Sequence, residues 1–484
     1  MNKSPLEQLH DVLTQINDFI WGPFLLIPLL LLTGLYLTAR LRGLQFRVLR
    51  HALWLAFIRR KEGGLAVGDV SHYQALATAM AGTIGVGNIA GVATAIGSGG
   101  PGALFWMWVT GLVGMATKYS EALLGVKYRC TDARGEQSGG PMYYLTHGVG
   151  GGWGKGLGIS FAIFGAVAAF GIGNMVQANT AAGQLHSTWN ISPVWSGALM
   201  AIFAAVVILG GIKSIARFAA AAVPLMCILY LISNLAVLFV FADRLPAAIA
   251  LVFTDAFSGT AAAGGFSGAA VILVIQMGVA RGIFSNESGL GTGAIAAASA
   301  ITDRPVRQAM VSMTQTFLDT LVMVTFTALA IIVTGAWMEE GLRGSPMTAW
   351  ALEQGLGGGW GTYTVTLGVL VFSFTTILGW CYYGERCIER LIGRIGVMPY
   401  RVAFSIFVFL GAILSLDLVW TFSDIANGLM ALPNLIGLLL LSGIVVKETR
   451  AYFSNKAWRD AAPSSAQDDL LVTQVDSPEK APDE

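Results

Sequence analysis

The residues of this chain best suited to hold a small ligand lie where a bilayer would be. Gly82 to Gly91, GTIGVGNIAG, sets Thr83 and Asn88 among four glycines inside a stretch otherwise apolar enough to cross a membrane. Lipid offers no partner to a free N–H or C=O, so irregular backbone persists at that depth only where it faces a cavity, a ligand or an ion. Glycine lets the backbone approach a ligand closely. The two half-helix ends expose amides, which suit a carboxylate, and carbonyls, which suit a cation. Asn88 adds a neutral oxygen of the kind a hard cation such as sodium prefers, and Thr83 is a candidate substrate contact. Close packing through small residues is the competing use of such a run.

A second interruption, Gly282 to Gly291 (GIFSNESGLG), follows 200 residues later. Ser285 and Asn286 there are candidate ion or substrate contacts, or caps for the second half-helix. Arg281 and Glu287 flank it and are expected to pair across it, locking one access state, since an intramembrane charge is expensive unless paired or solvated. Asp319 falls at mid-span, as a cation or proton ligand or a buried polar partner. Glu121 is expected to make an interfacial ion pair with Lys118. Gly173 and Gln177, with Asn174 between them, leave room for a small ligand beside a side-chain amide; polar contacts between helices are the alternative.

The elements that position these residues follow from composition. Of 484 residues, 55% are hydrophobic and 12% charged, which describes a polytopic all-α membrane protein. The net charge of +1 gives no reason to expect a nucleic-acid partner, and four scattered cysteines support neither a disulfide framework nor a zinc site. Hydropathy marks about eleven spans, the first from Ile20 to Ala39, the second from Tyr73 to Gly97 and the seventh from Gly268 to Ala300. Basic residues crowd one side of these spans, with Lys3, Arg244 and Arg343 on the other. The N-terminus is therefore expected outside and the C-terminus in the cytoplasm.

The organisation read from these signals is a first transmembrane helix in 1–43, then an amphipathic cytoplasmic helix and linker in 44–72. A five-span block covers 73–242, an extracellular loop 243–267, and a second five-span block 268–446. A cytoplasmic, partly disordered tail covers 447–484. Each block opens on one interruption, and the topology makes the blocks inverted copies. That arrangement places substrate and ions near the midplane of many secondary transporters.

Specific runs carry a family resemblance. Gly82 to Met115 followed by ATKYSE to Glu121, with PGALFWMW at Pro101 to Trp108, resembles the alanine or glycine:cation symporter family. So do FGIGNMVQAN (Phe170 to Asn179), RGIFSNESGLG (Arg281 to Gly291) and FSFTTILGWCYYGER (Phe372 to Arg386). The resemblance covers nearly the whole transmembrane chain. It implies the LeuT-type fold of the amino acid–polyamine–cation superfamily, a five-plus-five inverted repeat with discontinuous helices, here preceded by one extra helix.

The resemblance also assigns roles. The amides of Val86 and Gly87 would hold the substrate carboxylate and Asn88 a cation. The carbonyls of Ala81 and Ile84, with the hydroxyls of Thr375 and Thr376, would hold a sodium ion, Ser285 being a further cation contact. Thr376 and Trp380 would border the substrate, and Phe284 would limit it to a side chain the size of a methyl group or hydrogen. The implied activity is uptake of alanine or glycine, with serine the largest expected substrate, driven by sodium as the coupling ion across a cell membrane, a bacterial inner membrane being the expected one. Proton coupling is the alternative, and a channel the alternative of another class. Neither catalytic residues nor a cofactor are expected, and the remaining partner is membrane lipid.

Overall fold

Glycine and proline punctuation divides long apolar runs into helices, and the computed structural model describes residues 5–59, 67–132, 135–258 and 267–455 of the chain. Helix α1 (Pro5–Ile20) comes first, and α2 (Leu26–Arg40) follows a turn over residues 21–25. Hydropathy alone starts the first span at Ile20 and shows no helix before it. Two helices form because Gly22 and Pro23 interrupt the run. At Gly43, with φ of 62°, the chain turns through 83° into α3 (Leu44–Trp54), continued by a π-helical turn over Leu55–Arg59. Residues 60–66 of the expected linker lie outside the described residues.

Helix α4 (His72–Thr83) opens with a capping box: the Ser71 hydroxyl accepts from the Gln74 amide at 3.2 Å, and Gln74 Oε1 accepts from the Ser71 amide at 3.0 Å. The helix stops at Thr83, makes one 3₁₀ turn over Val86–Asn88, and resumes 58° away as α5 (Ala90–Gly99). After α6 (Ala103–Lys127) come a hairpin of β1 (Cys130–Thr131) and β2 (Gln137–Ser138) and the single turn α7 (Pro141–Tyr144). Helices α8 (Gly151–Phe170) and α9 (Val176–Trp189) form one rod whose middle, Gly171–Met175, is π-helical. Next are α10 (Pro193–Leu209) and α11 (Gly211–Val240).

The segment expected to be a loop between the blocks contains α12 (Leu245–Ser258); residues 259–266 lie outside the described residues. The PGALFWMW run holds this helix: the Gly102 amide donates to Asp255 at 2.8 Å, Trp106 Nε1 donates to the Ala256 carbonyl at 3.1 Å, and Phe105 packs edge-on to Phe257. The PGALFWMW run therefore clamps two elements together.

The second block repeats the plan. Helix α13 (Ser267–Asn286) breaks over residues 287–291 and resumes as α14 (Thr292–Ala298). The break is shorter than the interruption marked from Gly282. Gly282 stays helical and serves close packing, since a Cβ there would lie 2.5 Å from Thr110 Oγ1. A π-helical stretch, Phe317–Val324, joins α15 (Pro305–Thr316) to α16 (Thr325–Thr334), and α17 (Ser345–Leu356) follows. The last helices are α18 (Trp360–Ile392), α19 (Val397–Ile413) and α20 (Leu416–Ser454).

Each of the eleven stretches expected to span a membrane contains helix. Among the described residues, six rods are long and apolar enough to do so, or eight if each bent pair is one span. Helix α13 packs on α5 and α6, and α18 on α4, α8, α9 and α11, so both breaks are buried within the bundle.

Candidate functional site

At the first break the chain leaves amides and carbonyls for partners outside its own helix. The Gly85 amide donates to Asn88 Oδ1 at 3.2 Å and the Val86 amide to Gln177 Oε1 at 3.2 Å, while Gln177 Nε2 donates to the Ile172 carbonyl at 2.8 Å. From α18, the Thr376 hydroxyl donates to the Ala81 carbonyl at 2.8 Å. Trp380 Nε1 lies between both breaks, 3.2 Å from the Gly82 carbonyl and 2.7 Å from Glu287 Oε1. A Cβ on Gly87 would sit 3.2 Å from Ser285 Cα and 3.3 Å from Phe284 Cδ1, so the two broken helices touch there.

Asp319 anchors the other side. Its carboxylate accepts from Asn88 Nδ2 at 2.7 Å, from the Ser285 hydroxyl at 2.9 and 3.0 Å, and from the Thr320 hydroxyl at 2.8 Å. Asn286 Nδ2 supports Thr320 at 3.0 Å. All five residues are buried. The π-helical stretch of α15–α16 carries Asp319, as that of α8–α9 carries Gly173, and π-bulges recur at functional sites.

Thr83, Val86, Gly87, Asn88, Gln177, Phe284, Ser285, Thr376, Trp380, Glu287 and Asp319 thus gather around the two breaks, with the Ala81 carbonyl and the adjacent Ile84. Three expected residues are used differently. Asn174 Nδ2 donates to the Phe404 carbonyl of α19 at 2.7 Å, so its amide turns from the break. The Thr375 hydroxyl donates to the Phe372 carbonyl of its own helix at 3.0 Å. Thr83 likewise donates to the Ala79 carbonyl at 3.1 Å. Gly173 serves shape, because a Cβ there would overlap the Trp380 indole.

The expected Arg281–Glu287 pair is not formed. Arg281 makes a bidentate pair with Asp424 of α20, at 3.2 and 2.6 Å, and Glu287 instead accepts from Trp380 and, at 2.6 Å, from the Thr292 hydroxyl. Arg281 precedes the end of α13 by more than a turn, so its side chain projects along the helix toward α20 rather than across the break. Its guanidinium lies 4.6 Å from the Trp420 ring centroid and 5.6 Å from that of Phe284, and these two rings stack at 4.7 Å. Lys118 and Glu121 do pair, at 3.8 Å, but fully buried rather than at an interface. Sequence reasoning missed Trp420, Asp424, Thr320 and Asn434. A charge inside the eleventh apolar stretch was the available signal for Asp424.

Two broken helices packed together in a predominantly helical bundle, with a buried carboxylate on their flank, are the architecture of a polytopic membrane protein with the LeuT-type fold. Solved structures agree on the fold. MhsT in complex with L-phenylalanine matches with a TM-score of 0.56 at 14% identity, over 84% of this chain and 95% of that one. The Eremococcus coleocola manganese transporter matches with a TM-score of 0.50 at 14% identity, over 82% of this chain and 90% of that one.

The chain belongs to the sodium:alanine symporter family, whose profile matches residues 6–466. It is 50% identical over 448 residues to the sodium/alanine symporter AgcS of Methanococcus maripaludis, covering 91% of this chain and 97% of that one. It is 35% identical over 450 residues to the probable sodium/glutamine symporter GlnT of Bacillus subtilis, covering 93% and 91%.

Proposed function

We propose that the protein carries alanine into the cell together with sodium, by alternating access around the two breaks. Family membership and the relative named for sodium and alanine support this. The observation that carries it is the environment of Asp319: a buried carboxylate bonded by Asn88, Ser285 and Thr320, all neutral donors, on the flank of a broken helix. A buried charge needs a counter-charge, and a hard cation among oxygen ligands supplies it.

Sodium would sit against Asp319 and Asn88 Oδ1, with Ser285 as a further ligand. A second seat would lie between the Ala81 and Ile84 carbonyls and Thr376, with Thr375 adjacent. The substrate carboxylate would take the Gly87 amide and replace Gln177 Oε1 on that of Val86, leaving Gln177 to accept from the ammonium. Thr83 and Gly173 shape the pocket wall, Asn174 braces it against α19, and Phe284 and Trp380 limit its volume. Glycine fits the same seat, and serine is the largest substrate expected. Arg281–Asp424 with the Phe284–Trp420 stack closes one side, and Glu287–Trp380 joins the two breaks across the other.

The protein is expected in a cell membrane, the bacterial inner membrane by this reading, with lipid around it, and the charge bias supports an N-terminus outside and a C-terminus in the cytoplasm. Purified protein in proteoliposomes tests the whole reading. Saturable alanine flux should require a sodium gradient and be competed by glycine more than by serine. Sodium-independent flux, or strongest competition from a large amino acid, would overturn it.

A further inference from the structure

The second break is filled by the chain itself. Lys118 Nζ donates to the Glu287 carbonyl at 3.0 Å, just past the carbonyl end of α13. Glu121 Oε1, from the same face of α6, accepts the amides of Gly289 and Gly291 at 3.0 Å each, at the amide end of α14. It also accepts from Asn434 Nδ2 at 2.7 Å, and that amide reaches the Gly289 carbonyl at 2.8 Å. Tyr144 in turn holds the Asn434 side-chain oxygen. Lys118, Glu121 and Glu287 all show 0% exposure. Gly293 leaves the space the lysine occupies: a Cβ there would lie 2.9 Å from Nζ.

A cation at the carbonyl end and a carboxylate at the amide end are the two charges a broken helix attracts. At the first break those charges are proposed to be sodium and the substrate's carboxylate. The inverted repeat relates the two breaks, and an offset of 202 residues, which superposes the start of α5 at Ala90 on that of α14 at Thr292, carries Lys118 to within one position of Asp319. The corresponding helix of each repeat thus serves the opposite break, once with an acid that invites a cation and once with the cation itself.

We propose that Lys118 and Glu121 are a tethered ion pair occupying the second break as a permanent substitute for a primary ammonium and a carboxylate. The pseudo-symmetry therefore yields one transport seat and one filled seat, and the filled one is the positioning element that holds Glu287 against Trp380. The parallel with the first break rests on the proposed function, but the occupancy of the second break does not.

The test reads thermal stability of the purified full-length protein without alanine or sodium, so it fails or succeeds independently of transport. Lys118→Ala should lower the melting temperature. Ethylammonium, a primary ammonium of matching chemistry, should raise it again, whereas tetramethylammonium, which cannot donate, should not. Wild type should respond to neither. Removing one partner of a buried pair leaves an uncompensated charge, whereas removing both does not. Lys118→Met should therefore be less stable than the double variant Lys118→Met/Glu121→Gln, and this comparison decides the matter if Lys118→Ala cannot be purified. Failure of ethylammonium to rescue Lys118→Ala, or a double variant no more stable than Lys118→Met, would overturn the proposal.

Discussion

Asp319 accepts from one amide and two hydroxyls, none of which can neutralise it. If a cation completes that shell, Asp319→Asn keeps the shape and removes the attraction. The sodium concentration for half-maximal uptake should then rise about tenfold or more, ~1.4 kcal/mol; an unchanged sodium dependence would remove Asp319 from the site. Gly173→Ala is the steric counterpart. A methyl group there meets the Trp380 indole in a packed interior, and overpacking of this kind costs about 1–3 kcal/mol. Alanine uptake should fall severalfold, and more steeply than for alanine placed at Gly156, whose Cβ would meet nothing within 4 Å. Asn88 and Gln177 were marked in the sequence because a polar residue beside a glycine interruption has few uses in a bilayer, and Trp380 only by the family resemblance. Asn174 bonds to the Phe404 carbonyl and Thr375 to the Phe372 carbonyl, because helical spacing does not tell which neighbour a side chain will bond.

The π-helical stretches decide where such side chains point. Between α15 and α16 the wider turn over Phe317–Val324 brings Asp319 to Asn88 and Ser285. Deleting Leu318 should restore α-helical pitch and rotate the residues on one side of the deletion by about 100°, the α-helical step of 3.6 residues per turn. Sodium-dependent uptake should disappear while the protein still inserts and purifies; retained uptake would show that the bulge is dispensable. Nothing in the hydropathy of this stretch signals the bulge, because apolar period and length survive one inserted residue. The breaks were legible, since glycine runs have a local backbone cause. The 287–291 limits of the second were not, because Gly282 packs against Thr110 from another helix.

At the scale of the whole molecule, we propose that two ion-paired clusters act as closures of the bundle. One is Arg281–Asp424, whose backbone carbonyl also accepts from Trp21 Nε1 at 2.8 Å. The other ties the β1–β2 hairpin to the end of α18. Arg386 and Arg394 each donate to Glu136 at 2.9 Å, Arg386 also donates to Glu389 at 2.8 Å, and Arg394 also holds Asp132. Burial raises the Glu136 carboxyl, and the hydrogen bonds and charges of the two arginines overcome it, bringing it down to about 2. The folded-state value is depressed below the ordinary 4.5, so the stabilisation from this carboxylate is present above about 4.5 and lost as pH falls toward 2. A cysteine placed near this closure should show thiol-reagent access that, once normalised to the thiolate fraction, does not change between pH 5 and 8. Arg394→Ala should increase that access at every pH in the range. Equal access in wild type and variant would show that the closure does not depend on the hairpin.

Local backbone chemistry was readable from the chain alone. Glycine runs, capping residues, apolar length and the side on which lysine and arginine collect act within a turn or a span, and they indicate the helical class, the stretches that cross and the two interruptions. The tertiary structure decided everything that depends on which helix faces which. Arg281 meets Asp424 143 residues away rather than Glu287 close by. Trp380 reaches both breaks, and Lys118 and Glu121 enter the second break instead of an interface. Buried charges take whichever partner lies within about 3 Å, and in a bundle that distance is set by packing between helices rather than by separation along the chain.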